Sequence, residues 1–234
     1  MALTKKLKCF WTLGLCLVAS KLSKTLAKVP KLPTIYDPGF IQECIDSHNE
    51  MRDKVKPSAA NMHYLDWDKA LAKVAKSWTR KCKFSHNPCT KKRYACTKRY
   101  DFLGENMYLG ERKSTPKQII SRWYNESEHY NFENRTCSKT CGHYTQVVWA
   151  NSLKVGCAVA DCPRILGRSA ALFVCNYAPA GNVNNASPYI KGESCSICET
   201  NVCISNLCRH VTGRATQQTA CHLLTLGFIF YRLL

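Results

Sequence analysis

Acidic residues are scarce in this chain of 234 residues: 16 Asp and Glu stand against 34 Lys and Arg, a formal net charge of +18. That balance favours anionic partners such as lipid headgroups, sulfated glycans or acidic proteins. Nucleic acid is not among them, because the lysines are scattered along the sequence and the chain carries the marks of export. Long apolar runs are also missing. Cys9 to Ala19 and Ala220 to Leu234, the latter interrupted by Arg232, both fall short of the ~20 residues a spanning helix needs. His86, Glu105, Glu126 and His143 stand in no short metal motif such as H-E-x-x-H, so a metal site built from them has to be assembled from residues far apart in sequence.

Cysteine is what the chain has in excess. Sixteen of them point to an oxidising compartment, and 45% hydrophobic residues suffice for the core of one good-sized domain with or without appendages. Lys5, Lys6 and Lys8 ahead of the Cys9–Ala19 run read as a secretory signal over residues 1–20, or to 27 if Thr25-Leu26-Ala27 rather than Val18-Ala19-Ser20 is cut. Export makes the acceptor sequons at Asn125, Asn134 and Asn185 usable. At the other end, Gly213 and Ala215, polar Thr216 to Thr219 and the apolar tail form an imperfect glycosylphosphatidylinositol-attachment signal within 209–234, with Gly213 as attachment residue. The alternative is a secreted chain whose tail packs or frays.

Asp37-Pro38 starts a helix as cap and first residue, and Phe40, Ile41, Cys44, Ile45, His48, Met51 and Val55 recur at helical spacing up to Pro57. His48 belongs to that helix's buried edge. A second helix runs from about Asp66, with Leu71, Val74, Ala75, Trp78 and Cys82 on its stripe. Residues 85–99 form a basic loop stapled by Cys89 and Cys96, and Leu103 to Leu109 is a strand. Thr115-Pro116-Lys117-Gln118 has the form of a capping box opening a third helix that turns Ile119, Ile120, Trp123 and Tyr124 inward. Lys154 to Ala160 and Ala171 to Tyr177 read as adjacent buried strands, with Pro179 to Asn182 a turn. Interleaved helices and strands give an α+β class, a sheet covered by helices. Cys195, Cys198, Cys203 and Cys208 admit two crossed disulfides or a zinc knuckle, and export favours the disulfides.

The stretch from Cys141 to Ser152 is the densest in chemistry. Helical spacing sets His143 beside Val147 and Ala150, at the edge of an apolar surface, either as a hydrogen-bonded core histidine or as a ligand. His86, Glu105, Glu126 and His143 each lie at the end of an apolar element, where side chains can converge on a cleft. The imidazoles of His86 and His143 suit zinc, and the carboxylates would complete the shell or hold a metal-bound water. Glu126 and His129, an E-x-x-H pair on one helical face, are the rival arrangement.

Residues 142–152 (GHYTQVVWANS) and 175–182 (CNYAPAGN), with Gly104-Glu105-Asn106 and Arg122 to Glu126, resemble the motifs of the CAP superfamily of cysteine-rich secretory, antigen 5 and pathogenesis-related 1 proteins. The resemblance covers roughly Asp37 to Cys208. The hinge cysteines, sequons and anchor-like tail resemble its glioma pathogenesis-related branch. It implies a three-layer α–β–α sandwich, a CAP domain over 37–190, a small disulfide-rich hinge over 191–208, and a cleft tetrad of His86, Glu105, Glu126 and His143. It also implies disulfides Cys82–Cys162, Cys137–Cys141, Cys157–Cys175, Cys195–Cys203 and Cys198–Cys208. With Cys9, Cys16 and Cys221 set aside and Cys89 joined to Cys96, Cys44 is left as an inert core thiol. The ion-channel module of cysteine-rich secretory proteins proper has no counterpart, since only Cys221 follows Cys208.

For function, the resemblance implies an extracellular, non-enzymatic binding or adhesion protein of a branch common in the male reproductive tract. The expectation is a sperm-surface protein in gamete binding or fusion, held at the plasma membrane by a lipid anchor. Its partner is a cell-surface protein or glycan, an egg-surface one included, and zinc is compatible but not required. The alternatives are a zinc-dependent hydrolase using the tetrad, or a lipid or sterol carrier.

Overall fold

A computed structural model of the protein describes residues 31–183, 186–198 and 202–210. The secretory-signal segment, Asn185, Gly213 and the anchor-like tail lie outside the described residues.

Two long strands, β5 (Lys154–Ile165) and β6 (Arg168–Ala178), pair antiparallel and form the spine of a four-stranded sheet in the order β1-β5-β6-β2. β1 (Asp66–Trp67) joins β5 in parallel, and β2 (Gly104–Gly110) closes the other edge antiparallel to β6. Successive residues face opposite sides of a sheet. Phe173, Cys175 and Tyr177 therefore point to one core and Leu172 and Val174 to another, all buried. Burial on both sides explains why this strand reads as an unbroken apolar run.

Helices cover the two sides unequally. α1 (Pro38–Asp53), α3 (Pro116–Asn125) and α4 (Gly142–Val147) pack on the Phe173 side, while α2 (Lys69–Thr79) covers the Leu172 side with Ala72, Ala75 and Trp78. The result is the expected α–β–α sandwich. Asp37 caps α1 by accepting from the amides of Gly39 (3.0 Å) and Phe40 (3.3 Å), and Thr115 with Gln118 completes the capping box of α3. Gly156 is required where α2 meets β5, because a Cβ there would lie 2.2 Å from the Ala72 nitrogen.

Several boundaries differ from the sequence reading. α2 begins at Lys69 rather than near Asp66, because Asp66 and Trp67 pair with Lys154 and Val155 and Asp68 then caps the helix. α1 stops at Asp53; Ile41 and Ile45 are only half-buried, while His48, Asn49 and Arg52 are buried. α4 has six residues, so Ala150 lies beyond it. β5 and β6 extend past the limits read from the apolar runs.

Among the described residues six disulfides are formed: Cys82–Cys162, Cys89–Cys96, Cys137–Cys141, Cys157–Cys175, Cys195–Cys203 and Cys198–Cys208. Cys44 is a free, fully buried thiol whose pKa burial pushes well up, which keeps it unreactive. The last two bridges staple the hairpin of β7 (Val202–Ile204) and β8 (Leu207–Arg209). That hairpin does not swing free: Cys208 exchanges backbone hydrogen bonds with Met62 (2.7 Å) and Tyr64 (3.0 Å), and Leu207 is buried in the main core.

Two charged-type side chains are enclosed beside α4. Arg52, 1% exposed, donates to the carbonyls of His63, Val147, Trp149, Ala150 and Ser152. Burial lowers its pKa from 12.5 to about 9. Arg52→Met leaves those carbonyls unpaired and should cost at least about 3 kcal/mol, a fall of roughly 6–12 °C in Tm. Arg52→Lys should recover less than half of it, since an ammonium cannot reach both sides of the fork.

His48 is fully buried; its Nδ1 donates to the Cys44 carbonyl (2.7 Å), so its Nε2 accepts from the Tyr177 hydroxyl (2.8 Å). Burial lowers its pKa from 6.5 to about 4. Between those values the unfolded chain binds a proton that the fold refuses, so stability present above pH 6.5 is lost as pH falls towards 4. Denaturant unfolding of wild type and His48→Gln at both pH values should show the wild-type advantage shrinking by about 3 kcal/mol at the acid end.

Candidate functional site

The four residues singled out from the sequence form two histidine–glutamate pairs at the start of β2. Glu105 is the second residue of that strand and stands opposite Asn176 on β6, on the α2 side of the sheet. Its side chain is 2% exposed and every contact is an acceptance: Oε1 from His86 Nδ1 (3.0 Å) and the Asn87 amide (2.9 Å), Oε2 from Asn176 Nδ2 (3.2 Å). The carboxylate thereby pins the loop that leaves α2. The His86 side chain is 56% exposed.

The second pair is built at the junction of α3 and α4. Glu126 is the C-cap residue of α3. Its Oε1 accepts from His143 Nδ1 at 2.6 Å, and its Oε2 accepts from the amides of His143 (3.0 Å) and Tyr144 (3.3 Å). Cys141, the N-cap of α4, offers no side-chain cap bond, so the Glu126 carboxylate caps the helix from outside and opposes the positive end of its dipole. The His143 ring lies nearly parallel to that of buried Trp123, 11° apart with centroids at 6.0 Å.

A buried chain of hydrogen bonds fixes the backbone under His143. Asn106 Nδ2 donates to the His143 carbonyl (3.0 Å) and to the Tyr177 hydroxyl (3.4 Å), which His48 also engages. Gln146, 1% exposed, accepts from the Gly181 amide (3.0 Å) and donates to Ser152 Oγ (3.2 Å), which donates to the Pro179 carbonyl (2.8 Å). A Cβ at Gly104 would meet Gln146 Oε1 at 2.0 Å, so glycine is needed there. Each of the quoted motifs thus supplies one wall for another.

Metal fit follows from which atoms are engaged. A carboxylate can only accept, so both Nδ1 atoms carry hydrogen and both Nε2 atoms are left as ligand nitrogens. A histidine oriented by a carboxylate in this way is the arrangement that zinc sites use. Each imidazole thus offers one nitrogen of the kind zinc takes, with Glu105 and Glu126 orienting the rings instead of ligating. Among the described residues no three of the four bring ligand atoms within 4.8 Å; the group that does is Cys195, Cys198 and Cys208, whose sulfurs are spent in disulfides and offer no thiolate. Of the two arrangements, the carboxylate of Glu126 takes His143 as its histidine partner. Asn125 and Asn134 are both exposed.

A profile of the cysteine-rich secretory protein (CAP) family matches residues 45–177. The chain belongs to the CAP family. Over the full length of both proteins it is 53% identical to mouse (Mus musculus) and 51% identical to human (Homo sapiens) GLIPR1-like protein 1. Human peptidase inhibitor 16 is 35% identical across 77% of this chain and 38% of its own. Among solved structures, BmVAL-1 superposes with a TM-score of 0.63 at 25% identity, over 78% of this chain and all of that one. NaASP2 with Zn2+ gives 0.58 at 27% identity, over 76% of this chain and all of that one. The branch read from the sequence is therefore the right one. No helix of the described residues is long and apolar enough to cross a membrane.

Sequence reading named the four titratable residues and missed their supports. Asn106 and Asn176 stand inside the quoted GEN and CNY motifs, and an amide in an otherwise apolar strand is the available signal, since it has to find a partner when buried. The two pairs should separate in an unfolding experiment. Glu126→Ala removes the cap of α4 and should cost about 1–2 kcal/mol, whereas exposed His86→Ala should change stability by less than about 0.5 kcal/mol.

Proposed function

We propose that this protein is an extracellular recognition protein of the sperm surface, acting in gamete binding or fusion and held at the plasma membrane by a glycosylphosphatidylinositol anchor. The observation that carries the non-catalytic part is the commitment of both carboxylates. Glu105 and Glu126 accept three hydrogen bonds each, from a histidine and from backbone or amide donors. Neither is a free base beside an open reacting position, which general-base chemistry needs. The gamete setting and the anchor are supported by full-length similarity to GLIPR1-like protein 1 and by the small-polar-apolar order of the C-terminal sequence. The partner is a cell-surface protein or glycan, an egg-surface one in that setting.

Zinc, where present, is held by His86 and His143, and the zinc in NaASP2 supports that reading. Bound zinc supplies a Lewis acid that acidifies water. A hydrolase would still need a base, and both carboxylates are engaged. A sterol or acyl carrier fits less well: the groove of ≈ 800 Å³ beside α3 is lined by Glu43, Lys113, Lys117, Gln118 and Arg122.

Phosphatidylinositol-specific phospholipase C should release the native protein from sperm, and the soluble protein should compete for egg binding. Retention after treatment, or no competition, overturns the respective part. Zinc titration of wild type should show binding that His143→Ala weakens, without turnover on a broad hydrolase panel. Turnover abolished by that substitution would establish the enzyme instead.

A further inference from the structure

One stretch of the chain is basic throughout. Between Lys69 and Arg99 the chain has eleven basic residues and no acidic one, six on or just after α2 and five in the loop that follows. α2 covers its side of the sheet with one flank, and the other flank faces solvent. Lys69, Lys73, Lys76 and Arg80 fall on that outer flank, a row of about 16 Å at 1.5 Å per residue.

The loop is folded back against α2 and fixed there. The Cys89–Cys96 disulfide closes it, Trp78 Nε1 donates to the Ser85 carbonyl (2.8 Å), and the Tyr100 hydroxyl donates to Asp68 (2.9 Å). Between helix and loop lies a groove of ≈ 500 Å³, lined by Lys73, Ser77 and Lys81 from the helix and by Asn87 and Thr97 from the loop. Lys91, Lys92 and Lys98 are exposed on the loop.

These cations lack counter-charges. Within the segment only Arg93, with Asp101, and Arg99, with Asp68, form ion pairs. Elsewhere Lys54, Lys117, Lys154 and Lys191 each sit against a carboxylate. Several of the unpaired ammonium groups are instead steadied over aromatic faces: Lys69 and Lys76 over Tyr36 at 5.0 and 5.6 Å, and Lys81 over Trp78 at 4.9 Å. Such contacts order a long side chain while its charge stays available, which lowers the entropy lost on binding an anion.

We propose that the outer flank of α2 and the Cys89–Cys96 loop form a docking surface for a linear sulfated polysaccharide. A row of cations beside a narrow groove with hydroxyl and amide walls suits an extended chain bearing repeated sulfates. Six disulfides place the protein in an oxidising compartment, where nucleic acid is not the available polyanion and anionic lipid, concentrated on the cytoplasmic leaflet, is not the facing surface. The inference rests on the extracellular reading above, but its test uses purified protein, so it fails or stands apart from any role with gametes.

The test is binding of the full chain, purified from secretory cells, to immobilised heparin at about 0.15 M salt, near physiological ionic strength. Lys73→Glu/Lys81→Glu/Lys92→Glu should weaken binding at least about tenfold. Lys54→Glu/Lys117→Glu/Lys154→Glu, an equal change of net charge at paired lysines, should weaken it by no more than about threefold. Desulfated heparin should fail to compete. Equal losses in the two triples would mean diffuse attraction and overturn the proposal, as would binding to phosphatidylserine vesicles without binding to heparin. Should the charge-reversed triple not fold, the Lys→Gln triple at the same three positions carries the same expectation in direction.

Discussion

The arrangement of this molecule depends on a cation buried without an anion. Arg52 reaches from α1 across the core and divides its donors among five carbonyls, of His63 and of the segment from Val147 to Ser152. Among the described residues no carboxylate neutralises it; oriented carbonyl dipoles do so instead. Val147 ends α4, so the guanidinium also meets the negative end of that helix. A helix of six residues has no stability of its own. It is held at one end by the Glu126 carboxylate and at the other by Arg52, each matched in sign to the dipole it faces.

That clamp decides what His143 can do. With the start of α4 tied to Glu126, its backbone to Asn106 and its ring laid on Trp123, the imidazole has one orientation. The histidine arrives placed, and its carboxylate is consumed in placing it. The same holds for His86 and Glu105, with Asn87 and Asn176 supplying two further donors. Both carboxylates thus serve to fix an imidazole, and each histidine is held through its Nδ1.

Much of this could be read from the residues. Asp37-Pro38 and Thr115-Pro116-Lys117-Gln118 announce helix starts because their capping chemistry is local. The β6 run is legible because both its sides are buried. What escaped depends on distant partners. Asp66 and Trp67 look helical until β5 pairs with them, and Arg52 on an amphipathic helix looks like a solvated charge until five carbonyls surround it. The groove between α2 and the loop after it escaped for a related reason: it exists only because the loop folds back along the helix.

The cysteine-rich hairpin belongs to this same framework. Its β8 strand hydrogen-bonds the segment from Met62 to Tyr64, and the His63 carbonyl within that segment is one of the five that Arg52 holds. A displacement of the hairpin would therefore be resisted by the interaction that positions α4. Two disulfides make the hairpin stiff, buried Leu207 fixes it to the core, and Arg52 connects that attachment to the histidine pair. In a protein held from its C-terminal side, such a path would set the direction in which the recognition face is presented. A freely swinging hinge would leave that direction to chance.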